Sequence, residues 1–291
     1  LTTISSTVAR IIGLLAVAAA LAGCSAIKLG YNNLGEVAYW WLDGYIDFTE
    51  EQAAPVREDL GRLHLWHRTQ ELPRLQAVLR AFEELVPGDI SAAQACAFVP
   101  QLRERLQAVT ESAEPAVVTL AMGLGPEQLR HLERKYQKNN ADFRKAWGQL
   151  SPSELIDKRL QQFLERSEMI YGRLDAPQRS ALRRHIEQSI FDPQRILAER
   201  QRRQQDALQT LRKLAGQPVP FSEARGLLRG YLQRAQYSPD PAYRSYQQAL
   251  MEEACRGVSV LHNSTVGAQR EAAVQRLRAY QRDLRELSAQ Q

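Results

Sequence analysis

Four times in this chain a short polar residue stands three positions before a Glu or Gln at the start of an apolar-periodic stretch: Thr49/Gln52, Ser91/Gln94, Ser151/Glu154 and Asp175/Gln178. This is the capping-box pattern, in which the first side chain takes an orphan N–H of a helix start and the second reaches back to the entering chain. Pro126, Pro152 and Pro193 stand at or near first helical positions, where a missing N–H costs nothing. Stops fall at Pro87-Gly88, Gly123, Gly148, Gly172, Gly216-Gln217-Pro218 and Pro239-Asp240-Pro241. Between these marks apolar residues step by three and four, as in Ala273, Leu277, Tyr280, Leu284 and Leu287. No stretch alternates as a half-buried strand would. The pattern predicts an all-α, multi-helix bundle of about nine or ten helices with no sheet. Pro55 and Pro73 fall inside the second helical stretch and should kink or split it.

A different signal occupies the first 24 residues. Arg10 precedes the apolar run Ile11–Ala22, which is too short to span a bilayer but fits the hydrophobic region of a secretory signal. Leu21-Ala22-Gly23-Cys24 closes the run and resembles a bacterial lipobox. That resemblance implies a signal peptide over 1–23, cleavage before Cys24, a covalent lipid on its thiol, and a mature all-helical periplasmic domain over 24–291. Two or three acyl chains hold a protein on a membrane nearly permanently. Ser25 next to the lipidated residue is similar to the sorting position of enterobacterial lipoproteins retained at the outer membrane. The expected location is therefore the periplasmic face of an outer membrane. In that oxidising compartment the two remaining cysteines, Cys96 and Cys255, are expected to pair, with two buried free thiols as the alternative.

Three regions are candidates for interaction. Six of the 21 aromatic residues lie between Tyr31 and Phe48, just after the lipobox. Trp41, Tyr45 and Phe48 follow a 4, 3 step and are expected to face the core, leaving Tyr39 and Trp40 as the exposed pair. Residues 173–213 hold ten basic and five acidic residues, an excess equal to the +5 of the whole chain. Arg183, Arg184, Arg200, Arg202 and Arg203 lead that stretch and would suit anionic lipid, lipopolysaccharide or an acidic envelope protein; a solvated helix surface is the plainer reading. Aromatics are sparse there, which argues against nucleic acid. His64 and His67 are one turn apart with no third ligand near them, so no metal site is expected, and no cofactor other than the lipid. No nucleophile, base and oxyanion pattern assembles, and an enzyme is not expected.

Several stretches carry a family resemblance. Leu29-Gly30-Tyr31-Asn32-Asn33, the run Tyr39–Phe48, His131–Tyr136, Tyr171-Gly172-Arg173-Leu174, and Phe191-Asp192-Pro193 through Gln205 resemble an uncharacterised family of proteobacterial lipoproteins, domain of unknown function 6279. The resemblance implies a helical envelope lipoprotein and supplies no activity. Phe48-Thr49-Glu50-Glu51-Gln52, Leu124-Gly125-Pro126-Glu127-Gln128 and Leu174-Asp175-Ala176-Pro177-Gln178 are also similar to the Leu-Thr-x-x-Gln motifs of the small periplasmic Spy and CpxP chaperones and stress sensors. Each departs at one position, and a capping box alone produces the same letters. A faint echo links the halves, about 31–122 and 123–291: capped starts at Thr49 and Asp175 are followed by others at Ser91 and Ser222. Serial capped helices produce such an echo without duplication.

Overall fold

The computed structural model describes residues 27–216 and 218–290; the signal segment 1–23 and Cys24 lie outside the described residues. Residues 27–32 are helical and lead into α1 (Leu34–Ile46). The chain continues through α2 (Glu50–Trp66), α3 (Leu72–Glu83), α4 (Ala92–Cys96), α5 (Phe98–Met122), α6 (Pro126–Phe143) and α7 (Pro152–Tyr171). It ends with α8 (Ala176–Glu187), α9 (Pro193–Gly216), α10 (Phe221–Gln236), α11 (Pro241–Asn263) and α12 (Gly267–Ala289). No strand occurs among the described residues, and the fold is all-α.

The local signals act as the sequence predicts. The Ser91, Ser151 and Asp175 side chains accept from the N–H three residues on, and Gln94, Glu154 and Gln178 in turn each accept from the backbone N–H of the capping residue. Pro73 splits the second stretch: having no N–H, it withholds a ladder bond, and the chain widens into a π turn over His67–Glu71 before α3. The Leu72 N–H reaches back five residues to the His67 carbonyl. Pro55, near the start of α2, does not break that helix.

One packing pattern recurs in two parts of the chain, here called units. In the first unit α1 lies against α2 and α6, and α2 against α5. In the second, α7 lies against α8 and α12, and α8 against α11. The two are also interlocked: α3 runs along α12 while keeping contact with α5, and α9 runs along α6 while keeping contact with α10. The short helices follow suit, α4 packing on α11 and α10 on α5. Details repeat with the topology. Tyr45-Ile46-Asp47-Phe48-Thr49-Glu50-Glu51-Gln52 corresponds to Tyr171-Gly172-Arg173-Leu174-Asp175-Ala176-Pro177-Gln178. The Phe48 N–H donates to Asp43 (2.9 Å) and the Leu174 N–H to Glu168 (3.1 Å). Both turns carry a residue with positive φ, but one position apart in this correspondence: Asp47 at 59°, opposite Arg173, and Gly172 at 74°, opposite Ile46. The first unit is taken from α1 to the π turn Arg144–Gly148 and the second from α7 to α12.

Two apolar clusters form the core. One gathers Val86, Leu160, Leu174, Leu182, Ile186, Leu261 and Leu277, around α3 and α12. The other gathers Val118, Ala121, Leu214, Ala224 and Leu228 from α5, α9 and α10. Cys96 and Cys255 are joined by a disulfide, Cα atoms 5.4 Å apart, which ties α4 to α11.

Candidate functional site

The most specific polar constellations lie at paired helix starts. Gln128, three residues into the turn opening α6, donates to the Asp47 carbonyl (3.0 Å) ahead of α2 and to Gln52 Oε1 (2.7 Å). Gln52, at the same position of α2, donates to the Gly123 carbonyl (3.0 Å) ahead of α6. Each glutamine also accepts from the backbone N–H at its own cap, Thr49 or Gly125. One side chain thus closes its own helix start and grips the loop before the partner's. The second unit repeats the clasp: Gln178 donates to the Ser264 carbonyl (3.0 Å) and Gln269 to the Arg173 carbonyl (3.0 Å), with Gln178 and Gln269 in contact at 2.6 Å. Gln128 and Gln178 are buried, so these amides replace water for carbonyls that would otherwise be unsatisfied. Gln269 carries little sequence signal because Val266 offers no capping side chain, and only the glutamine three residues on marks the helix start.

The aromatic start is arranged differently from the expectation. Tyr39 is buried (5% exposed), covered by the Arg57 guanidinium 3.6 Å above its ring and set against Phe48 at 5.6 Å. Trp40 is exposed (63%), and Trp41, expected in the core, is exposed too (60%). The inferred 4, 3 stripe required one straight helix through Phe48. Helix α1 instead stops at Ile46, Asp47 turns left-handed, and Phe48 folds back toward Tyr39. The inward face is set by packing on both α2 and α6, which turns Trp41 outward.

The basic segment is largely neutralised within the fold. Arg202 and Arg203 both hold the buried Glu199 (2.8 and 2.9 Å), and Arg202 also faces Asp206. Burial pushes the Glu199 carboxyl up, yet hydrogen bonds from Arg202, Arg203 and Ser238 outweigh it and leave the group below the usual carboxylate range. Arg183 pairs with Asp157 (2.6 Å), and Arg200 lies 5.8 Å from the centre of the Phe143 ring. Arg184 is exposed, and no ion pair among the described residues includes it. The five arginines therefore do not converge on one free anionic site.

A long groove of about 1400 Å³ runs between α5, α10 and α11, with Val99, Leu106, Leu232 and Met251 along it and Cys96 at its edge. Glu114 lies in it, buried and hydrogen bonded by Arg229 (2.7 Å) and Arg225; these bonds hold its carboxyl below the usual range. Buried carboxylates recur as structural anchors: Glu71 accepts from Arg74 (2.8 Å), and Glu253 from the Ile190 N–H (2.9 Å) and Arg159 (3.3 Å). His262 is fully buried, between the Tyr171 hydroxyl on Nδ1 (2.9 Å) and the Gly88 carbonyl on Nε2 (2.7 Å). Burial lowers its pKa, and the neutral ring satisfies both contacts by donating from Nε2 and accepting at Nδ1. His64 and His67 flank the Tyr31 ring, and the Tyr31 hydroxyl meets His67 Nδ1 at 2.9 Å. Among the described residues no group of three or more His, Cys, Asp or Glu is placed to hold a metal ion.

A recurring packing pattern, interlocked helices and glutamine-clasped helix starts define an all-helical body whose polar residues converge chiefly on its own caps and ion pairs. The chain belongs to DUF6279, a family of unknown function whose model matches residues 44–238. The match begins inside the aromatic cluster and ends before α11, so it covers both members of the first clasp and Gln178 of the second. No curated protein and no solved structure matches the chain.

Proposed function

We propose that this is a lipid-anchored protein of the bacterial envelope, held at the periplasmic face of the outer membrane, whose helical surfaces bind another envelope component rather than catalyse a reaction. The observation that carries the reading is the Ile11–Ala22 run closing on Leu21-Ala22-Gly23-Cys24. A disulfide between Cys96 and Cys255 accords with an oxidising compartment. No helix among the described residues is long and apolar enough to cross a membrane. Mass spectrometry of the protein extracted from bacterial membranes is expected to find an amino-terminal peptide beginning at acylated Cys24, and Cys24→Ser is expected to leave the signal uncleaved. An unmodified Cys24 in the wild type overturns the anchor.

A second reading, a Spy- or CpxP-like periplasmic chaperone or stress sensor, is favoured by one observation. The glutamines of the three motif-like helix starts all take part in clasps, and a separate groove with apolar patches lies open between α5, α10 and α11. Substoichiometric to equimolar protein is then expected to slow aggregation of a reduced, unfolding client, as followed by light scattering. An unchanged scattering curve removes this reading.

A further inference from the structure

Helix α1 is apolar on both sides. Its inner face packs on α2 and α6, yet Leu34 (43% exposed), Val37 (58%), Trp40 and Trp41 point outward together. At 100° per residue these four positions fall within about 120° of the helix circumference, a continuous stripe rather than scattered residues. Ile27 and Leu29, in the helical residues just before α1, are exposed as well. Single exposed apolar side chains are ordinary, but a contiguous set of this size, with two tryptophans, marks a surface that something covers.

What covers it follows from where the chain comes from. Cys24 stands three residues before Ile27, and three residues reach at most about 10 Å. If Cys24 carries lipid, as proposed above, Ile27 lies within that distance of the bilayer and the helical residues it opens lead directly into the stripe. The stripe is also firmly joined to the body. Lys28 pairs with Glu286 and faces Asp283 (3.6 Å), Arg68 holds Asn32 (2.8 Å), and Tyr31 meets His67. Helix α1, with 13 residues, is about 20 Å long, which is too short to span a hydrocarbon core of about 30 Å and suits a helix lying along the interface. Tryptophan favours that depth, and at the rim Arg57, 5.9 Å from the Trp40 ring, is paired with Glu36 (3.8 Å), so it is the apolar stripe and not charge that suits this face to the interface.

We propose that the outer face of α1, Leu34, Val37, Trp40 and Trp41, with Ile27 and Leu29 ahead of it, lies in the headgroup region of a phospholipid bilayer. The lipid then supplies attachment, and this face fixes how the helical body stands on the membrane. The inference rests on the anchor reading for its proximity argument and is separable from it by experiment.

The test uses the full chain purified from membranes and reconstituted into phosphatidylethanolamine–phosphatidylglycerol vesicles, with or without acyl-chain-brominated lipid. Of the four tryptophans, Trp66 and Trp147 lie outside the stripe and serve as internal reference. Brominated lipid is expected to quench wild-type emission and to leave Trp40→Phe/Trp41→Phe unquenched, with circular dichroism unchanged because both side chains are exposed. Equal emission in the two vesicle types, or equal quenching in wild type and variant, overturns the proposal. Photocrosslinking from position 40 that yields a dimer in place of lipid adducts assigns the face to a second copy and also overturns it. Acylated Cys24 without quenching removes this inference alone; quenching with unmodified Cys24 removes the anchor reading alone.

Discussion

Replacing Cys96 and Cys255 together by serine is expected to lower the free energy of unfolding by about 3–5 kcal/mol, the upper end coming from the loop-closure entropy of a bridge across a long loop. The paired residues are 159 positions apart, so the bridge restricts most of the unfolded chain. It also holds an element with little else of its own. Helix α4 has five residues and no buried residue, and no helix that short is stable alone. Beside the packing of α4 on α11, the turn before it is held to α11 where the Ile90 N–H donates to Asn263 (2.9 Å) and the Ser259 hydroxyl to the Ile90 carbonyl (2.7 Å). Urea denaturation of wild type, reduced wild type and the double variant should place the last two together at a lower midpoint. A difference under about 1 kcal/mol would mean that the loop entropy is offset elsewhere. Two thiols labelled in the denatured, unreduced wild type would show that no bridge forms.

The starts and stops of the helices were readable from sequence because capping is local: Ser91, Ser151 and Asp175 find their partners three residues away. Helical phase was not. Whether Tyr39 or Trp41 faces inward depends on where α1 ends and on two neighbours, α2 and α6, and the left-handed turn at Asp47 broke the stripe that extrapolation had carried through to Phe48. The buried carboxylates were equally hidden. Glu114 and Glu253 read as ordinary helix-surface residues until arginines from distant helices, Arg229 and Arg159, close on them. The clasps were half visible, since the glutamine position is set by the capping box while its second bond, to a carbonyl some 70 to 100 residues away, is a product of topology. Interlocking through α3 and α9 left no local mark, because a helix along a neighbour and a helix along a distant unit need the same apolar stripe.

That interlocking makes a prediction about cooperativity. Leu182→Ala in α8 is expected to destabilise the protein by about 2–5 kcal/mol, the range for removing a fully buried leucine side chain with partial collapse of the cavity. All four tryptophans, Trp40, Trp41, Trp66 and Trp147, belong to the first unit, whereas Leu182 belongs to the second and packs in the cluster with Leu160, Ile186 and Leu277. Trp147 touches Phe191 and Lys158 of the second unit, so the comparison is made in a Trp147→Phe background, where independent units would leave tryptophan emission at the midpoint of that background. Interlocked units must lose α3 from α12 and α9 from α6 in the same event, so the loss of packing around α8 is felt by tryptophans it does not touch. Emission and far-ultraviolet circular dichroism should therefore shift together to one lower urea midpoint. A biphasic dichroism curve with an unshifted tryptophan phase would show that the interlocked helices do not couple the units, and that each unit is stable without the arm it receives from the other.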